Sequence, residues 1–427
     1  MNIINGDCLE ELKKLEDNSV DAVITDPPYG LSNTKPQQVA DVLKAWVTGD
    51  TVSVPAKRGG FMGKDWDSFV PPPAVWEECI RVLKPGGHMA VFAGARTQDL
   101  MGLSIRLAGF EIRDTLGWVY GSGFPKSQNI ARQLDKTLGE DVPIGKSFNT
   151  AGGGDRESEF ANNGRSEAHK QWSPMSDAAK QWDGWGTALK PAIEPIILAR
   201  KPLDGTVANN VLAHGVGGLN IDACRVPTTD RWEASGVQSA PGSSLQGSAD
   251  GSLNVSVSAT HEAGRFPANV LLDEHAAAEM DKQSGVSVSQ RSTRKKAGET
   301  VGNGVTLNNY HMNEDNVGGY SDGGGASRFF PVFKYQAKAP KRERPVIERE
   351  DGTKIQHPTV KPVALMEWLV SLIVPPGGVV LDPFAGSGTT LQAALNKGFT
   401  PIGIEQDADY IKLIEKRLEE TCKTPKS

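Results

Sequence analysis

The part of the sequence best suited to act on a planar amine is Asp26-Pro27-Pro28-Tyr29. It follows the apolar run at residues 22–24, so it lies at the carboxyl end of a predicted strand, where open α/β sheets bind ligands. The two prolines stiffen the loop and remove two backbone N–H donors. The Asp26 carboxylate and the Pro27 carbonyl become two rigid acceptors beside an aromatic ring. A strand-ending turn with a capping Asp and a packed Tyr explains these residues equally well.

A second candidate site is the glycine turn that follows the apolar run at residues 379–381. Gly386 and Gly388 permit close backbone approach to a ligand, and the helix that begins after them offers unpaired N–H groups. The turn lacks the third glycine of G-x-G-x-x-G and the Gly-Lys of a P-loop, which disfavours a dinucleotide or ATP. Glu405 ends the next predicted strand, where its carboxylate can accept the two ribose hydroxyls of a nucleoside. A helix-capping turn and a surface glutamate are the alternative.

Strands and helices alternate at both ends of the chain. The first part predicts strand 2–4, helix 9–15, strand 22–25, helix 75–83 and strand 89–93, with Lys84-Pro85-Gly86-Gly87 ending the second helix. The last part predicts helix 363–374, strand 379–381, helix 390–395, strand 401–404 and helix 410–418. This alternation predicts an α/β fold with a doubly wound, mostly parallel Rossmann-like sheet assembled from both chain ends.

The middle of the chain is irregular and rich in glycine and serine. Short ordered segments are expected at residues 194–199 and 269–272. We predict a catalytic half at residues 1–204, an irregular glycine-rich insert at 205–326, and a cofactor-binding half at 327–427.

Composition excludes several classes of protein. The 427 residues include 46 Lys+Arg and 52 Asp+Glu, a formal net charge of -6, with 47 Gly and 27 Pro. The first residues lack the basic and apolar segments of a signal peptide, and no apolar run is long enough to span a membrane. The cysteines are scattered, at Cys8, Cys79, Cys224 and Cys422, which disfavours a zinc site or a disulfide framework. We therefore expect a reducing cytoplasm, no membrane contact and no metal.

Four motifs together resemble the amino-group DNA methyltransferases of bacteria and phages. They are residues 5–9 (Asn-Gly-Asp-Cys-Leu), 25–30 (Thr-Asp-Pro-Pro-Tyr-Gly), 357–362 (His-Pro-Thr-Val-Lys-Pro) and 382–389 (Asp-Pro-Phe-Ala-Gly-Ser-Gly-Thr). The catalytic motif precedes the cofactor motif, as in the beta class of that family. The resemblance covers roughly residues 1–125 and 328–420 and implies that the insert recognises the target. The stretch at 31–70 is longer than the catalytic loop of such an enzyme needs.

The resemblance implies a role for each motif residue. Asp26, Pro27, Pro28 and Tyr29 would act on the target base. S-adenosylmethionine would be held by Asp382, Phe384, Gly386, Ser387, Gly388, Thr389 and Glu405. Asp7, beside Cys8, would accept the adenine amino group of the cofactor, and Lys361 would lie near its methionine end. A helix N-cap is the alternative role for Asp7, and a solvated charge is the alternative for Lys361.

If this acidic chain binds nucleic acid, we expect its basic residues to cluster at the binding site. Arg294, Lys295 and Lys296 form one basic cluster, and Arg328 begins a second. We predict that these residues contact phosphates; solvated loops are the alternative. Phe329 and Phe333, beside the second cluster, would either stack on bases or belong to the sheet core.

The chemistry agrees with the resemblance. The lone pair of an exocyclic amine is delocalised into its ring, and two acceptors on its N–H groups would free it for attack on a sulfonium methyl. The base must first leave the duplex, and Tyr29 offers it a stacking face. No cysteine follows a proline, which disfavours cytosine C5 methylation.

We therefore predict a methyltransferase that modifies adenine N6 in double-stranded DNA, because an aspartate at position 26 favours adenine in this family. Cytosine N4 is the alternative base. An inactive DNA-binding module and an enzyme that methylates RNA or a protein glutamine are disfavoured. The expected location is the cytoplasm of a bacterial or phage-infected cell. The sequence leaves open whether the protein forms a homodimer and whether it has a cognate restriction endonuclease.

Overall fold

The chain divides into two compact units. The computed structural model describes residues 2–32, 34–55, 67–121, 123, 127–140, 172–228, 264–289, 292–293, 317–318, 322–333, 344–349 and 351–423. The larger unit consists of Met1–Gly121 together with Ile193–Ser427, and the smaller unit is Ser122–Ala192. Both ends of the chain therefore belong to one unit, as the alternation of strands and helices predicts.

The helices of the described residues are short to medium in length. They are α1 Cys8–Leu12, α2 Pro36–Val47, α3 Pro73–Val82, α4 Gln98–Leu107, α5 Ile130–Thr137, α6 Asp177–Gln181, α7 Val207–His214, α8 Glu274–Ser284, α9 Val363–Ile373, α10 Thr389–Asn396 and α11 Ala408–Lys423. Single 3₁₀ turns occur at Asp222–Cys224 and Ala326–Phe329. No helix within the described residues has both the length and the apolar character needed to cross a bilayer.

Most of the strands belong to one large sheet. The strands are β1 Asn2–Asn5, β2 Val20–Thr25, β3 Leu83–Phe92, β4 Glu111–Val119, β5 Ile193–Arg200, β6 Val270–Asp273, β7 Ser287–Val288, β8 Ser292–Thr293, β9 Val317–Gly318, β10 Gly323–Gly324, β11 Val332–Phe333, β12 Ile347–Glu348, β13 Lys354–Ile355, β14 Val379–Asp382 and β15 Thr400–Glu405. Within the described residues the sheet has nine strands in the order β1-β15-β14-β2-β3-β5-β4-β6-β11.

Every neighbouring pair in this sheet is parallel except the two that involve β5. The carboxyl ends of the parallel strands therefore share one edge of the sheet. Because β5 runs in the opposite direction, its first residues reach that same edge, and Glu194 pairs with Trp118 near the end of β4. The predicted mostly parallel sheet, built from both chain ends, is confirmed.

Side chains alternate between two apolar clusters along the central strands. On β2, Val23 belongs to one cluster, whereas Ala22 and Ile24 belong to the other. Helices α1 to α4 complete the first cluster, which contains the fully buried Trp76. Helices α9 and α10 complete the second, which contains Leu369. Helices therefore cover both faces of the sheet, so the predicted doubly wound architecture is confirmed.

The structure corrects one predicted boundary. The sequence predicts that Lys84-Pro85-Gly86-Gly87 separates a helix from a strand, but β3 already begins at Leu83 and includes these residues. Its pairing with β2 jumps from Leu83 opposite Val20 to His88 opposite Ala22. The extra residues form an irregularity in the ladder, where proline and glycine are tolerated inside a strand.

The predicted insert contributes to the sheet. Strand β6 lies within residues 205–326, yet it pairs with β4 on one side and β11 on the other. The segment that forms a compact unit of its own is instead Ser122–Ala192. Residues 229–263 and 294–316 lie outside the described residues. The boundaries at 205 and 326 and the recognition role of the insert stay predictions.

The smaller unit is organised around one acidic side chain. Asp135 of α5 is fully buried. Its carboxylate accepts hydrogen bonds from the backbone N–H groups of Met175 and Ser176 and from the hydroxyl of Ser176. These bonds fix the start of α6, which Ser176 caps. Trp182 and Trp185 follow α6 and meet edge to face with ring centres 4.9 Å apart.

The sequence leaves open whether the aromatic residues near Arg328 bind bases or belong to the core, and the structure separates them. Phe333 is buried, with its ring centre 5.8 Å from that of Trp118 and 6.1 Å from that of Trp368. Phe329 is 39% exposed.

We expect Phe333→Ala to lower the free energy of unfolding by about 3–5 kcal/mol. Phe329→Ala should lower it by about 1 kcal/mol or less. Urea denaturation followed by circular dichroism measures both; equal losses would contradict the assignment of Phe333 to the core.

Candidate active site

The Asp-Pro-Pro-Tyr loop begins where β2 ends, in the place that the sequence predicts. All six residues of β2 are buried, so the strand continues the core as far as Thr25. Thr25 Oγ1 donates a 2.6 Å hydrogen bond to Oδ1 of Asp382, the last residue of β14. Because β2 and β14 are parallel neighbours, both loops leave the same edge of the sheet. A buried contact therefore joins the loop of Asp26 to the glycine turn.

The backbone of the loop is held by Asp67, a residue that the sequence analysis missed. Oδ1 of this buried side chain accepts hydrogen bonds from the backbone N–H groups of Tyr29 at 2.7 Å and Gly30 at 3.0 Å. Thr97 Oγ1 donates to the carbonyl oxygen of Tyr29 at 2.6 Å. Gly30 has a φ of 65°, and a Cβ at this position would lie 2.7 Å from the backbone nitrogen of Val70. The loop is therefore packed tightly against residues 67–70.

These contacts give the long stretch at residues 31–70 a structural role. Helix α2 anchors the stretch in the core through the buried side chains of Val42 and Trp46. The chain then returns to the Asp-Pro-Pro-Tyr loop with Asp67, and Phe69 packs edge to face on Trp46 at 5.9 Å. Within its described residues, the stretch supports the loop that it follows.

Asp26 belongs to a cluster of side chains from three distant parts of the chain. Tyr29 Oη donates to Oδ1 of Asp26 at 2.8 Å, and Lys361 Nζ lies 3.3 Å from the same oxygen. Lys361 also donates to Tyr29 Oη at 2.9 Å and to Oε2 of Glu194 at 2.6 Å. The ammonium thus makes two hydrogen bonds, to Tyr29 and Glu194, and an ion pair with Asp26.

Electrostatics keep the lysine charged and the tyrosine neutral. Burial opposes the charge of Lys361, but the carboxylates of Asp26 and Glu194 outweigh burial and raise the pKa of Lys361 above its usual value. Burial and the same two carboxylates raise the pKa of Tyr29 well above its usual value. The ammonium lies 5.3 Å from the ring centre of Tyr29 and 4.7 Å from that of Phe92, within cation–π distance.

Two acceptors of the loop stay available to a ligand. The contacts of the Asp26 carboxylate use Oδ1, and within the described residues Oδ2 has no hydrogen-bond partner. The carbonyl oxygen of Pro27 also has no partner in the described part of the chain. Neighbouring acceptors of this kind match the two N–H groups of an exocyclic amine.

The glycine turn after β14 is built from backbone contacts. Asp382 is buried and accepts from the backbone N–H of Phe384 at 3.1 Å. Gly386 and Gly388 have φ values of 53° and 78°, and Gly388 is the N-cap of α10. A Cβ on Gly386 would lie 3.0 Å from Nε2 of His357. The predicted His-Pro-Thr motif therefore packs against the turn.

Glu405 connects the turn to the end of β15. Its Oε2 accepts from the backbone N–H of Gly386 at 2.8 Å, and its Oε1 accepts from that of Asp407 at 2.9 Å. A carboxylate oxygen has two acceptor positions. One position on each oxygen is therefore left among the described residues.

Burial shifts both carboxyls of the turn towards their neutral forms. It raises the pKa of Asp382 to about 6 and that of Glu405 to about 7, although hydrogen bonds to both groups act in the opposite direction. A carboxyl with a raised pKa contributes stability at low pH and loses that contribution as the pH rises through its folded pKa. Ionisation of these two groups therefore opposes folding as the pH rises towards 7.

Asp7 lies near Glu405, because β1 pairs with β15 and Asn5 stands opposite Glu405. Its Oδ1 caps α1 by accepting from the backbone N–H groups of Leu9 and Glu10. Its Oδ2 has no partner among the described residues, so the cap does not exclude a ligand. Cys8 packs against the first apolar cluster, and burial raises the pKa of its thiol to about 12.

The other predicted cofactor residues surround the turn. Phe384 packs on Trp76 with ring centres 6.3 Å apart. The hydroxyls of Ser387 and Thr389 are buried and lie 3.4 Å apart. The structure thus brings Asp7, Cys8, Asp382, Phe384, Gly386, Ser387, Gly388, Thr389 and Glu405 to one edge of the sheet. The Lys361 ammonium lies beside Asp26. Its expected place near the methionine end of the cofactor, and the roles of the other residues towards a ligand, stay predictions.

The predicted DNA-binding residues fall into two groups. Arg294, Lys295 and Lys296 lie outside the described residues. Arg328 is part of an internal network, in which it donates to the carbonyl oxygens of Gly324 and Gly325. Its side chain is 14% exposed. Contact of Arg328 with DNA stays a prediction.

Comparisons with known proteins agree on a family. A family model described as DNA methylase matches residues 20–416. The type II methyltransferase M.HindIII of Haemophilus influenzae is 26% identical over 239 residues, which is 51% of this chain and 64% of that protein. The DNA adenine methyltransferase YhdJ of Escherichia coli is 48% identical over 63 residues, which is 15% of this chain and 21% of that protein. Each alignment spans less than two thirds of the relative.

Solved structures include distant matches. The cytosine-N4-specific PvuII DNA methyltransferase has 13% sequence identity and a TM-score of 0.41, with 98% of this chain and 89% of that chain covered. The complex of M1.HpyAVI with SAM has 16% identity and a TM-score of 0.38, with 98% of each chain covered.

The hydrogen bonds that Asp67 accepts from the loop backbone can be tested directly. Asp67→Ala removes the acceptor of two backbone N–H groups, so we expect the free energy of unfolding to fall by about 1–3 kcal/mol. Asp67→Asn keeps an acceptor oxygen and should lose less than half as much. Urea denaturation of the whole chain compares the two variants. An asparagine variant as unstable as the alanine variant would show that the oxygen does not hold the loop.

Proposed function

This chain belongs to the DNA methylase family of N6-adenine and N4-cytosine methyltransferases, and on that premise we propose that it transfers a methyl group from S-adenosylmethionine to N6 of adenine in duplex DNA. The observation that carries the proposal is the pair of available acceptors, Oδ2 of Asp26 and the carbonyl of Pro27. We propose the cytoplasm as its location, because its substrate is DNA.

The two acceptors suit an amine that must become a nucleophile. Hydrogen bonds from both N–H groups to Asp26 and Pro27 would draw the nitrogen towards tetrahedral geometry and free its lone pair. S-adenosylmethionine would supply an electrophilic methyl group bound to a positively charged sulfur. As the nitrogen–carbon bond forms and the carbon–sulfur bond breaks, positive charge develops on the nitrogen beside the Asp26 carboxylate. Loss of one amine proton then completes the product.

Tyr29 would hold the extruded base. The Lys361 ammonium lies at the hydroxyl end of the ring, and the base would stack on a face of the ring. The hydrogen bond from the Tyr29 hydroxyl to Asp26 fixes the orientation of the ring. The same residue thus positions both the base and the carboxylate that accepts from its amine.

The residues at the glycine turn fit the cofactor. Glu405 has one unused acceptor position on each oxygen, which suits two neighbouring ribose hydroxyls. Oδ2 of Asp7 would accept the adenine amino group. The backbone of Gly386 and Gly388 permits close approach, and Asp382, Cys8, Phe384, Ser387 and Thr389 line the remaining part of the proposed site.

Adenine is the proposed base and cytosine N4 the alternative. Asp26 supports adenine through its family resemblance, and the name of the Escherichia coli relative, DNA adenine methyltransferase, also supports it. We propose that the segment at 205–326 reads the sequence and that Arg294, Lys295 and Lys296 contact phosphates.

The proposal is tested by expressing the chain in cells that lack DNA methylation. Mass spectrometry of nucleosides from their DNA separates N6-methyladenine from N4-methylcytosine, and long-read modification sequencing gives the recognised sequence. Appearance of N4-methylcytosine alone would overturn the choice of base. Absence of both products, with RNA or protein labelled by radioactive cofactor instead, would overturn the substrate.

Asp26 provides the matched catalytic control. Asp26→Ala removes an acceptor of the target amine but no proposed contact of the cofactor. We expect methyl transfer to fall to background while the affinity for S-adenosylmethionine, measured by calorimetry, changes by about twofold or less. Turnover above a few per cent of the original enzyme would contradict this role of Asp26.

Cofactor binding should depend on pH through Glu405. The ionised carboxylate accepts both ribose hydroxyls, and burial raises the pKa of Glu405 to about 7. Affinity for S-adenosylmethionine should therefore increase by about tenfold from pH 6 to pH 8. Glu405→Gln is the control, because titration of the cofactor's own amine affects both proteins equally. An equal pH dependence in the two proteins would contradict the assignment.

A further inference from the structure

We propose that Lys361 and Glu194 are positioning residues that fix the Asp26 carboxylate, so that Oδ2 stays directed at the target amine. This inference rests on the proposed function. The family resemblance gives Lys361 a place near the methionine end of the cofactor; the inference gives it a role at Asp26 and adds Glu194 to the site.

The hydrogen bonds leave the carboxylate little freedom. Oδ1 of Asp26 is held by the Tyr29 hydroxyl at 2.8 Å and by the Lys361 ammonium at 3.3 Å. Lys361 is itself fixed by Tyr29 at 2.9 Å and by Glu194 at 2.6 Å. Two hydrogen bonds and one ion pair therefore fix the position of the ammonium. Rotation of the Asp26 carboxylate would break two contacts.

The cluster is also shielded from water. The side chains of Lys361, Asp26 and Glu194 are 12%, 22% and 27% exposed. Ion pairs in such surroundings are screened less than surface pairs. The geometry of the pair is therefore maintained by stronger interactions than those of an exposed salt bridge.

Glu194 has a second role in the balance of charge. Without Glu194, the positive charge of Lys361 would cancel the negative charge of Asp26. The site would then have no net negative charge to stabilise the target amine, which becomes positive as the methyl group is transferred. Glu194 contributes another negative charge, so the cluster as a whole retains one. The carboxylate can thus be fixed by a cation while the site still stabilises the developing positive charge.

The topology explains how an acid from residue 194 reaches the site. Parallel strands present their carboxyl ends at the catalytic edge, but β5 is antiparallel and presents its amino end there. Glu194 is the second residue of β5. Lys361 reaches the cluster from the segment that precedes α9. Three parts of the chain therefore meet at the Lys361 ammonium.

Lys361→Met tests the proposed clamp, by which we mean the fixing of the Asp26 carboxylate by Lys361 and Glu194. Lys354→Met is the matched control. Lys354 lies in β13, where its backbone pairs with Glu348; its side chain is exposed and makes no hydrogen bond or ion pair with another described residue. Misplacement of a catalytic group by about 1 Å reduces rates by about 100-fold. We expect Lys361→Met to lower the single-turnover rate of methyl transfer by about this factor while cofactor affinity, measured by calorimetry, stays within about twofold. Lys354→Met should change neither quantity.

A double-variant cycle tests whether Glu194 acts through Lys361. Glu194→Gln alone should lower the single-turnover rate by about tenfold. Combined with Lys361→Met, it should add little, because the group that it anchors is already absent. Independent roles would multiply to about a 1000-fold loss, and that result would overturn the proposed clamp.

The outcomes separate the clamp from the function. Loss of cofactor affinity in Lys361→Met would overturn the clamp and return Lys361 to the cofactor site. An unchanged rate would also overturn it, whereas the proposed function would stand. An original enzyme that methylates no DNA would overturn both. If Lys361→Met does not fold, as judged by circular dichroism, Glu194→Gln combined with Lys361→Met replaces it, since this variant keeps the net charge of the original cluster, and the same readings apply.

Discussion

The buried hydrogen bond between Thr25 and Asp382 is the contact on which the arrangement of the site depends. These residues end two neighbouring parallel strands and are separated by most of the chain. The bond fixes the distance between the loop that carries Asp26 and the turn that carries Gly386. A methyl transfer between two bound molecules needs that distance to be constant, because the donor and acceptor atoms must be aligned before reaction. The sheet provides this constraint through two neighbouring parallel strands.

The carboxyls of the site differ because their surroundings differ. Asp26 is held by a cation and a hydroxyl, whereas Asp382 and Glu405 are shielded by burial and have pKa values raised to about 6 and about 7. Burial of such groups lowers the stability of the free protein near neutral pH. Bound hydroxyl donors would offset part of this loss. The sites proposed for the base and for the cofactor therefore use different means to place a carboxylate.

The sequence predicts the parts of the fold that depend on local pattern. The sequence predicts the buried strands that are followed by Asp-Pro-Pro-Tyr or by a glycine turn, because the apolar run and the residues that end it are adjacent. The prediction that Lys84-Pro85-Gly86-Gly87 separates a helix from a strand is wrong, because an irregular strand tolerates the same residues that end a helix. Asp67 and Glu194 carry no local signal for their roles. They acquire them from long-range packing, and in the case of Glu194 from the reversed direction of β5.

That reversal also links the site to the chain segment that precedes β5. Residues between β4 and β5 form a compact unit of their own, yet the pairing of β4 with β5 fixes the point at which the chain returns. Trp118 stands opposite Glu194 in this register. A shift of one residue would move Glu194 to the other face of the sheet, away from Lys361. The register of one antiparallel pair thus places Glu194 beside Lys361 and positions the ion pair at Asp26.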